Sequence, residues 1–325
     1  MAPFFSIIIP MYNRERFIDR AIQSCLRQSY TDFEIVVVDD ASTDNSIRVV
    51  ENILDRRILL IKHDKNQERL IARNNGAKAS SGQWIVWFDS DDELLPNALS
   101  NMKHKIDTLA PDIKGLRFMC RLDSGQISPD PPFADTIWDY NAYLLWLEGH
   151  HEKWSESVPV VHRDTIDNVL FPEDTVYTGE THYHLNLLEK YKVKACSDIV
   201  RLYHLDAENN TWNPNWERLF NAAPAFADRL ETVISLHGHN LKKMAPSVYK
   251  KIYSGMITQF LLAGQRKKAW RKFQKELAAD HFVSQMSAIM ALGLVHPHLL
   301  ALVKTWRSKK ISKKQKTVVP VIEIT

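Results

Sequence analysis

Three things are scarce in this 325-residue chain. Cysteine occurs three times, at Cys25, Cys120 and Cys196, far apart and without paired spacing. That excludes a disulfide framework and a thiolate metal site, and it fits a reducing compartment. Glycine occurs only ten times. No GxGxxG follows the first apolar run and no GxxxxGK precedes a Ser or Thr, so neither a dinucleotide-binding turn nor a P-loop supplies a phosphate site. Charge of one sign is equally thin: a net +3 argues against a dedicated nucleic-acid binder. The N-terminus lacks a basic leader and a small-residue cleavage site before the apolar run that ends at Pro10, so it reads as a first strand and secretion is not expected.

What is present is 45% apolar residues, enough for one large domain and an appendage. Short apolar runs (Phe4 to Pro10, Phe33 to Val38, Ile58 to Ile61, Trp84 to Phe88) alternate with segments of helical spacing. The alternation predicts an α/β fold: a mostly parallel, mixed sheet sandwiched by helices. Ser42 or Thr43 with Asp44 is suited to cap a helix through Ile53, and Pro96 marks a helix start after Asp92. In such sheets ligands collect at the carboxyl ends of the strands, where Tyr12, Asp39, Asp40 and Asp89 to Asp92 fall.

Beyond Pro111 the pattern loosens into the loop SPDPPF, an aromatic segment from Trp138 to Trp154, and strands near Pro159 to His162 and Ile199 to His204. After about Trp216 the chain turns helical and basic. From Arg266 to Lys316 thirteen Lys or Arg face only Glu276 and Asp280. The reading is therefore a domain over 1–215 and a helical basic extension over 216–325. Val283 to Val303 is near spanning length but carries Gln285, His296, Pro297 and His298, which favours a packed helical hairpin or a segment lying on a membrane over a span.

The chemistry concentrates in FDSDDELLP, Phe88 to Pro96, where an apolar strand delivers three carboxylates into a loop. Hard cations such as Mg²⁺ or Mn²⁺ take one or two carboxylates plus substrate phosphates; the alternative is an Asp-rich helix cap. In VVVDDASTDNS, Asp39 and Asp40 leave the second strand, where a carboxylate can accept from a base or ribose, or simply make a turn.

With SIIIPMYNRE (Ser6 to Glu15) and ARNNGA (Ala72 to Ala77), these motifs resemble, in order and spacing, the family 2 glycosyltransferases of GT-A fold, over residues 4 to 205. The resemblance implies a nucleotide-binding half over 1–110 and an acceptor-binding half over 111–215. It implies that Pro10, Tyr12 and Glu15 line the nucleotide pocket, Asp40 reads the base and Arg73 lies near base or diphosphate. Asp91 would meet the ribose and Asp92 the metal, Mn²⁺ or Mg²⁺, with Asp89 supporting. The implied reaction is inverting transfer from a nucleoside-diphosphate sugar, UDP-sugar foremost, to a glycan or lipid-linked acceptor of cell-surface polysaccharide or glycolipid synthesis.

One departure stands out. The family places Glu-Asp at the start of a late helix, the Asp being the base, whereas here Glu180 precedes Thr181. The base then passes to Glu180, or to Asp174 in a register six residues earlier, and a raised carboxyl pKa would suit it; the alternative is a carboxylate that only complements the helix dipole. His204 is a candidate metal or phosphate contact, with a structural histidine as the alternative for it and for His182 and His184. Among Trp138, Tyr143, Trp146, Trp154, Trp212 and Trp216, most belong to the core; Trp154 and Trp212 are the acceptor-stacking candidates. KKISKKQK at Lys309 to Lys316 is either a solvated end or a contact with an anionic membrane surface. The expected setting is cytoplasmic, peripheral on the inner face of the membrane. A nucleotidyltransferase would need a glycine-rich loop that PMYNRERF lacks, and Thr181 leaves open an inactive nucleotide-sugar-binding scaffold.

Overall fold

Residues buried on both faces of a sheet read as unbroken apolar runs; three of the four runs of the first hundred residues become its central parallel strands, and the fourth, Ile58 to Ile61, becomes a half-buried parallel edge strand. The computed structural model describes residues 2–151, 155–173, 179–205, 216–277 and 289–290, with the side chains of 179, 216–219 and 277 excepted. The elements of the first part are β1 (Phe5–Met11), α1 (Ile18–Leu26), β2 (Phe33–Asp39), α2 (Ser46–Glu51), β3 (Ile58–Lys62), α3 (Arg69–Ala79), β4 (Trp84–Trp87), β5 (Glu93–Leu94) and α4 (Ala98–Asp107). They continue with β6 (Ile113–Leu122), β7 (Ile127–Ser128), β8 (Thr136–Trp138), α5 (Tyr140–His150), β9 (Ser157–His162), α6 (Gly179–Lys190) and β10 (Lys192–Tyr203).

The strand order is β3-β2-β1-β4-β9-β6-β10-β5, with β7 on β6 and β8 on β10. β1, β2, β3 and β4 run parallel, β9 is antiparallel to β4 and β6, and β10 is parallel to β6. Order reverses at β1, so the loops leaving β1 and β4 diverge and open a crevice at their carboxyl ends.

Helices cover both faces. Ile18, Ala21, Ile22 and Cys25 of α1 follow helical spacing and join Leu99 and Met102 of α4 against Phe5, Ile7, Ile9 and Met11. Each fully buried Ile, Leu, Phe or Met side chain among them contributes about 1.5–3 kcal/mol. On the opposite face α3 lies so close that a Cβ on Gly76 would sit 2.6 Å from Ile8 Cγ2 and 3.0 Å from Val38 Cγ2. There Trp87 also meets Phe171 and Tyr183 edge to face, at 5.1 and 6.3 Å between rings. All three cysteines are buried free thiols.

Two local expectations change. The helix after Ser42 has its cap at Asn45, two or three residues later than expected, and runs from Ser46 to Glu51; the Asp44 carboxylate accepts the Ser46 N–H at 2.9 Å and holds the turn before it. Between Asp92 and the next helix the chain forms β5, since Glu93 and Leu94 find an antiparallel partner in β10; α4 begins only after Pro96.

The chain divides into two units near residue 208, the sheet forming the first. The second contains α7 (Trp216–Met244), α8 (Pro246–Leu262) and α9 (Arg266–Leu277). Proline at the first position starts α8. Gly264, at φ +73, ends it: the Gln265 N–H donates to Phe260 O at 2.8 Å and the Gly264 N–H to Leu261 O at 3.1 Å. Among the described residues no helix is long and apolar enough to cross a membrane. Apart from 289–290, Val283 to Val303 lies outside them, as does the basic segment 309–316.

Candidate active site

The loops after β1 and β2 are fastened to each other. The Asn13 N–H donates to Ser42 Oγ at 2.9 Å, and Asn13 Oδ1 accepts the Thr43 N–H at 2.8 Å. Glu15 Oε2 accepts both the Asn45 N–H and Nδ2 at 2.9 Å, and the Glu15 N–H donates to Asp44. Glu15, expected to line the nucleotide pocket, thus spends one oxygen on the neighbouring loop: its short reach to Asn45 makes it a fastener. Asn13 and Ala41 both sit at positive φ, where the chain turns sharply off each strand. Pro10 is buried within β1, while Tyr12 stands exposed at its end.

Asp40 is buried at the end of β2, yet only one of its oxygens is committed. Oδ1 accepts the Gln67 N–H and faces His63 Nδ1, both at 2.8 Å. His63 Nε2 meets the Asn75 side-chain amide at 3.0 Å. If Asn75 Nδ2 donates there, the imidazole carries its proton on Nδ1 and donates to Asp40. Among the described residues Oδ2 has no donor, which leaves it able to accept an N–H from a base.

α3 explains the ARNNGA motif residue by residue. Arg73 turns into the crevice. Asn74 reciprocally bonds the Phe171 backbone, donating to its O at 2.8 Å and accepting its N–H at 2.9 Å. Asn75 orients His63, and Gly76 permits the close approach to β1.

The three aspartates after β4 meet a set of arginines. Asp89 Oδ1 accepts from Arg73 at 2.7 Å and Oδ2 from Arg201 at 3.1 Å. Burial works against its ionisation, but Arg73, Arg201 and Arg69 outweigh burial and hold it well below the usual carboxylate range. Asp92, 1% exposed, accepts the His204 N–H at 3.0 Å and lies 3.2 Å from Arg201. Arg201 itself is 2% exposed and also reaches Glu156 at 3.1 Å and Cys120 Sγ at 3.1 Å. Asp91 differs: its side chain is 21% exposed, Arg14 lies 3.8 Å from it, and burial with the Asp89 charge pushes its carboxyl upward. Its backbone carbonyl accepts from Arg20.

Those contacts set the surroundings of each residue expected at the metal. Asp92, expected to hold the metal, accepts a backbone amide on Oδ1 and lies beside Arg201, while its buried Oδ2 makes no hydrogen bond among the described residues. His204 addresses carboxylates with both nitrogens: Nε2 faces Glu93 at 2.9 Å and Nδ1 faces Asp123 at 2.8 Å. Among the described residues no three His, Cys, Asp or Glu side chains are arranged to hold a metal ion. A cation held by one carboxylate and a diphosphate fits nonetheless, because Asp91 is a hard oxygen donor whose excess negative field a cation would offset.

Glu180, at the start of α6, joins this cluster. Its Oε1 accepts from Arg73 at 2.7 Å and Arg69 at 3.1 Å, so Arg73 bridges Glu180 and Asp89. Its side chain is 44% exposed, and Oε2 has no donor among the described residues. The expectation of a raised pKa is overturned: burial raises it, but Arg69 and Arg73 prevail and hold Glu180 at about 2. Sequence reasoning passed over Arg69, Arg201, Glu156 and His63, none of which sits in a recognisable motif. His182 and His184 are buried, and burial with Arg117 pushes His184 well below its usual value. Trp138 and Tyr143 pack in the core around Trp146. Asp174, Trp154 and Trp212 lie outside the described residues.

The family pattern described as glycosyl transferase family 2 matches residues 6–157. An uncharacterized glycosyltransferase of Haemophilus influenzae is 33% identical over 216 residues, covering 64% of this chain and 83% of that protein. A UDP-Glc:alpha-D-GlcNAc-diphosphoundecaprenol beta-1,3-glucosyltransferase of Escherichia coli is 37% identical over 204 residues, 61% of this chain and 76% of that protein. Two solved structures share the fold. S. aureus TarS 1–349 in complex with UDP-GlcNAc has a TM-score of 0.59 at 18% identity, over 84% of this chain and 89% of its own. The mannosyltransferase PcManGT from Pyrobaculum calidifontis, in complex with GDP-Man and Mn²⁺, has a TM-score of 0.56 at 16% identity, over 97% and 88%. The sheet with helices on both faces is thus of the GT-A type.

Proposed function

The chain belongs to glycosyl transferase family 2, and we propose that it moves a sugar from a UDP-sugar, with inversion, to a lipid-linked or carbohydrate acceptor of cell-surface polysaccharide or glycolipid synthesis. The carrying observation is the bridge through Arg73, which joins the carboxylate at the start of α6 to the aspartate cluster after β4. The Escherichia coli relative, named for a UDP-Glc donor and a diphosphoundecaprenol acceptor, supports the choice of substrates.

In this reading Asp40 Oδ2 accepts an N–H of the base, Tyr12 borders the pocket, and Arg69 with Arg73 faces the diphosphate. Asp91 is the residue that would hold Mn²⁺ or Mg²⁺, which when bound would offset charge on the leaving diphosphate. Asp89 and Asp92 keep the loop in shape through Arg201. Glu180 is held ionised by its arginines, and its Oε2 receives the acceptor hydroxyl proton as that oxygen attacks the face opposite the diphosphate. The geometry favours turnover over an inactive scaffold, because the carboxylate missing at Thr181 is supplied at Glu180. The proposed setting is cytoplasmic and peripheral, on the inner face of a membrane.

The test is thermal stability of the purified protein against UDP, GDP, CDP, TDP and ADP, each with and without Mn²⁺. A ligand that binds only the native state raises apparent stability by mass action. A Mn²⁺-dependent shift with UDP is expected; the absence of a shift with every nucleotide would sink the proposal.

A further inference from the structure

We propose that the outer face of α9 docks on an anionic lipid bilayer, an inference that rests on, and assigns residues to, the peripheral setting proposed above. α9 reads RKKAWRKFQKEL, and its faces are sorted by chemistry. Ala269 and Phe273 are buried on the inner side, with Glu276 beside them bound by Lys242 at 3.1 Å and by the Tyr249 hydroxyl at 3.0 Å. Lys268 and Lys272 flank that side. Lys268 pairs with Asp228 at 3.0 Å and Glu231 at 2.8 Å of α7, and Lys272 pairs with Glu231. The acids within reach are therefore spent inward.

On the outer side Lys267, Trp270, Arg271 and Gln274 recur at i, i+3, i+4 and i+7, one exposed stripe, with Arg266 and Lys275 at its edges also exposed. Among the described residues none of these four cations makes an ion pair. Trp270 is 43% exposed, its ring resting 5.6 Å from Phe273. An indole set among unpaired cations matches the boundary of an anionic bilayer, where the ring lies at headgroup level and the cations meet phosphates.

The experiment uses the full chain and phosphatidylcholine vesicles with and without phosphatidylglycerol, read by co-sedimentation at low and high salt. Wild type is expected to bind only the anionic vesicles, and less at high salt. K267E/R271E is expected to bind them on the order of thirtyfold more weakly or worse, and W270A more weakly than wild type, each with an unchanged melting temperature and an unchanged UDP and Mn²⁺ shift. Wild-type binding by K267E/R271E, lost instead on truncation after Val303, would overturn the assignment to α9 while leaving the peripheral setting intact. No vesicle binding by wild type would overturn both. Equal binding to neutral vesicles, or a duplex RNA bound in preference and with the same dependence on Lys267 and Arg271, would also overturn it.

Discussion

Replacing Arg201 by Met is the perturbation whose outcome the structure fixes most closely. This side chain lies 2% exposed and holds three carboxylates together: Asp89 at 3.1 Å, Asp92 at 3.2 Å and Glu156 at 3.1 Å. Methionine fills similar length but leaves those groups without their shared cation. Removing one partner of a buried ion pair costs about 3–5 kcal/mol, because the remaining charges stay desolvated. At roughly 2–4 °C per kcal/mol for a unit of this size, the melting temperature should fall by roughly 6–20 °C. The pH dependence gives a second, signed check. Even with Arg201 present, burial pushes Asp92 and Glu156 upward, and the loss of the cation pushes both further. Carboxyls whose folded pKa exceeds the unfolded value take up protons on folding, so their penalty is small at low pH and grows as pH rises from the unfolded pKa toward the folded one. The gap between wild type and Arg201→Met should therefore be narrower at pH 5 than at pH 8, measured by thermal or urea unfolding. Arg201→Lys should fall between them, since one ammonium cannot reproduce a fork that reaches three partners. A loss below about 2 °C, within what an ordinary exposed substitution produces, or a gap that widens on acidification, would refute the reasoning.

Other outcomes follow from the same contacts. Glu180→Gln should lower kcat by about 10²–10⁴-fold while donor affinity holds or tightens, because Arg69 and Arg73 lose a competing carboxylate; UDP release assays paired with thermal shifts separate the two effects, and full activity would remove Glu180 from the mechanism. With Glu180 held at about 2, its protonation contributes no limb to the rate profile between pH 5 and 8; a limb there that vanishes in Glu180→Gln would contradict the arginine clamp. Asp91→Asn should abolish the Mn²⁺-dependent part of the UDP-induced stabilisation with little change in the unliganded melting temperature, a split visible in one titration series. Gly82→Ala should cost about 1–3 kcal/mol in urea unfolding, because its Cβ would lie 2.7 Å from the Phe5 carbonyl carbon. Gly149→Ala, with open space around the new Cβ in α5, should instead gain about 0.5–1 kcal/mol.

The central strands, the helices between them and the loops that carry Asp40 and Asp89 to Asp92 were legible in the order of the residues. Their physical signals are local: an apolar run buried on both faces, a helical repeat, a polar cluster where a strand stops. Glu180 was legible too, as a carboxylate at the start of a helix. What each carboxylate does was not, because a charged group takes its properties from partners brought in from elsewhere. Asp89 meets Arg201 from a strand 112 residues later, and Glu180 meets Arg69 and Arg73 from a helix more than 100 residues earlier. Those contacts bury Asp92, leave the Asp91 side chain partly exposed, turn both nitrogens of His204 to carboxylates, and drive Glu180 down where the sequence suggested a raised value. β5 was invisible for the same reason: two residues become a strand only because β10 presents an unpaired edge to them. Periodicity and turn chemistry act over a few residues and can be read along the chain, whereas ion pairing in a low-dielectric interior acts across space and is set only once the sheet has brought distant residues together.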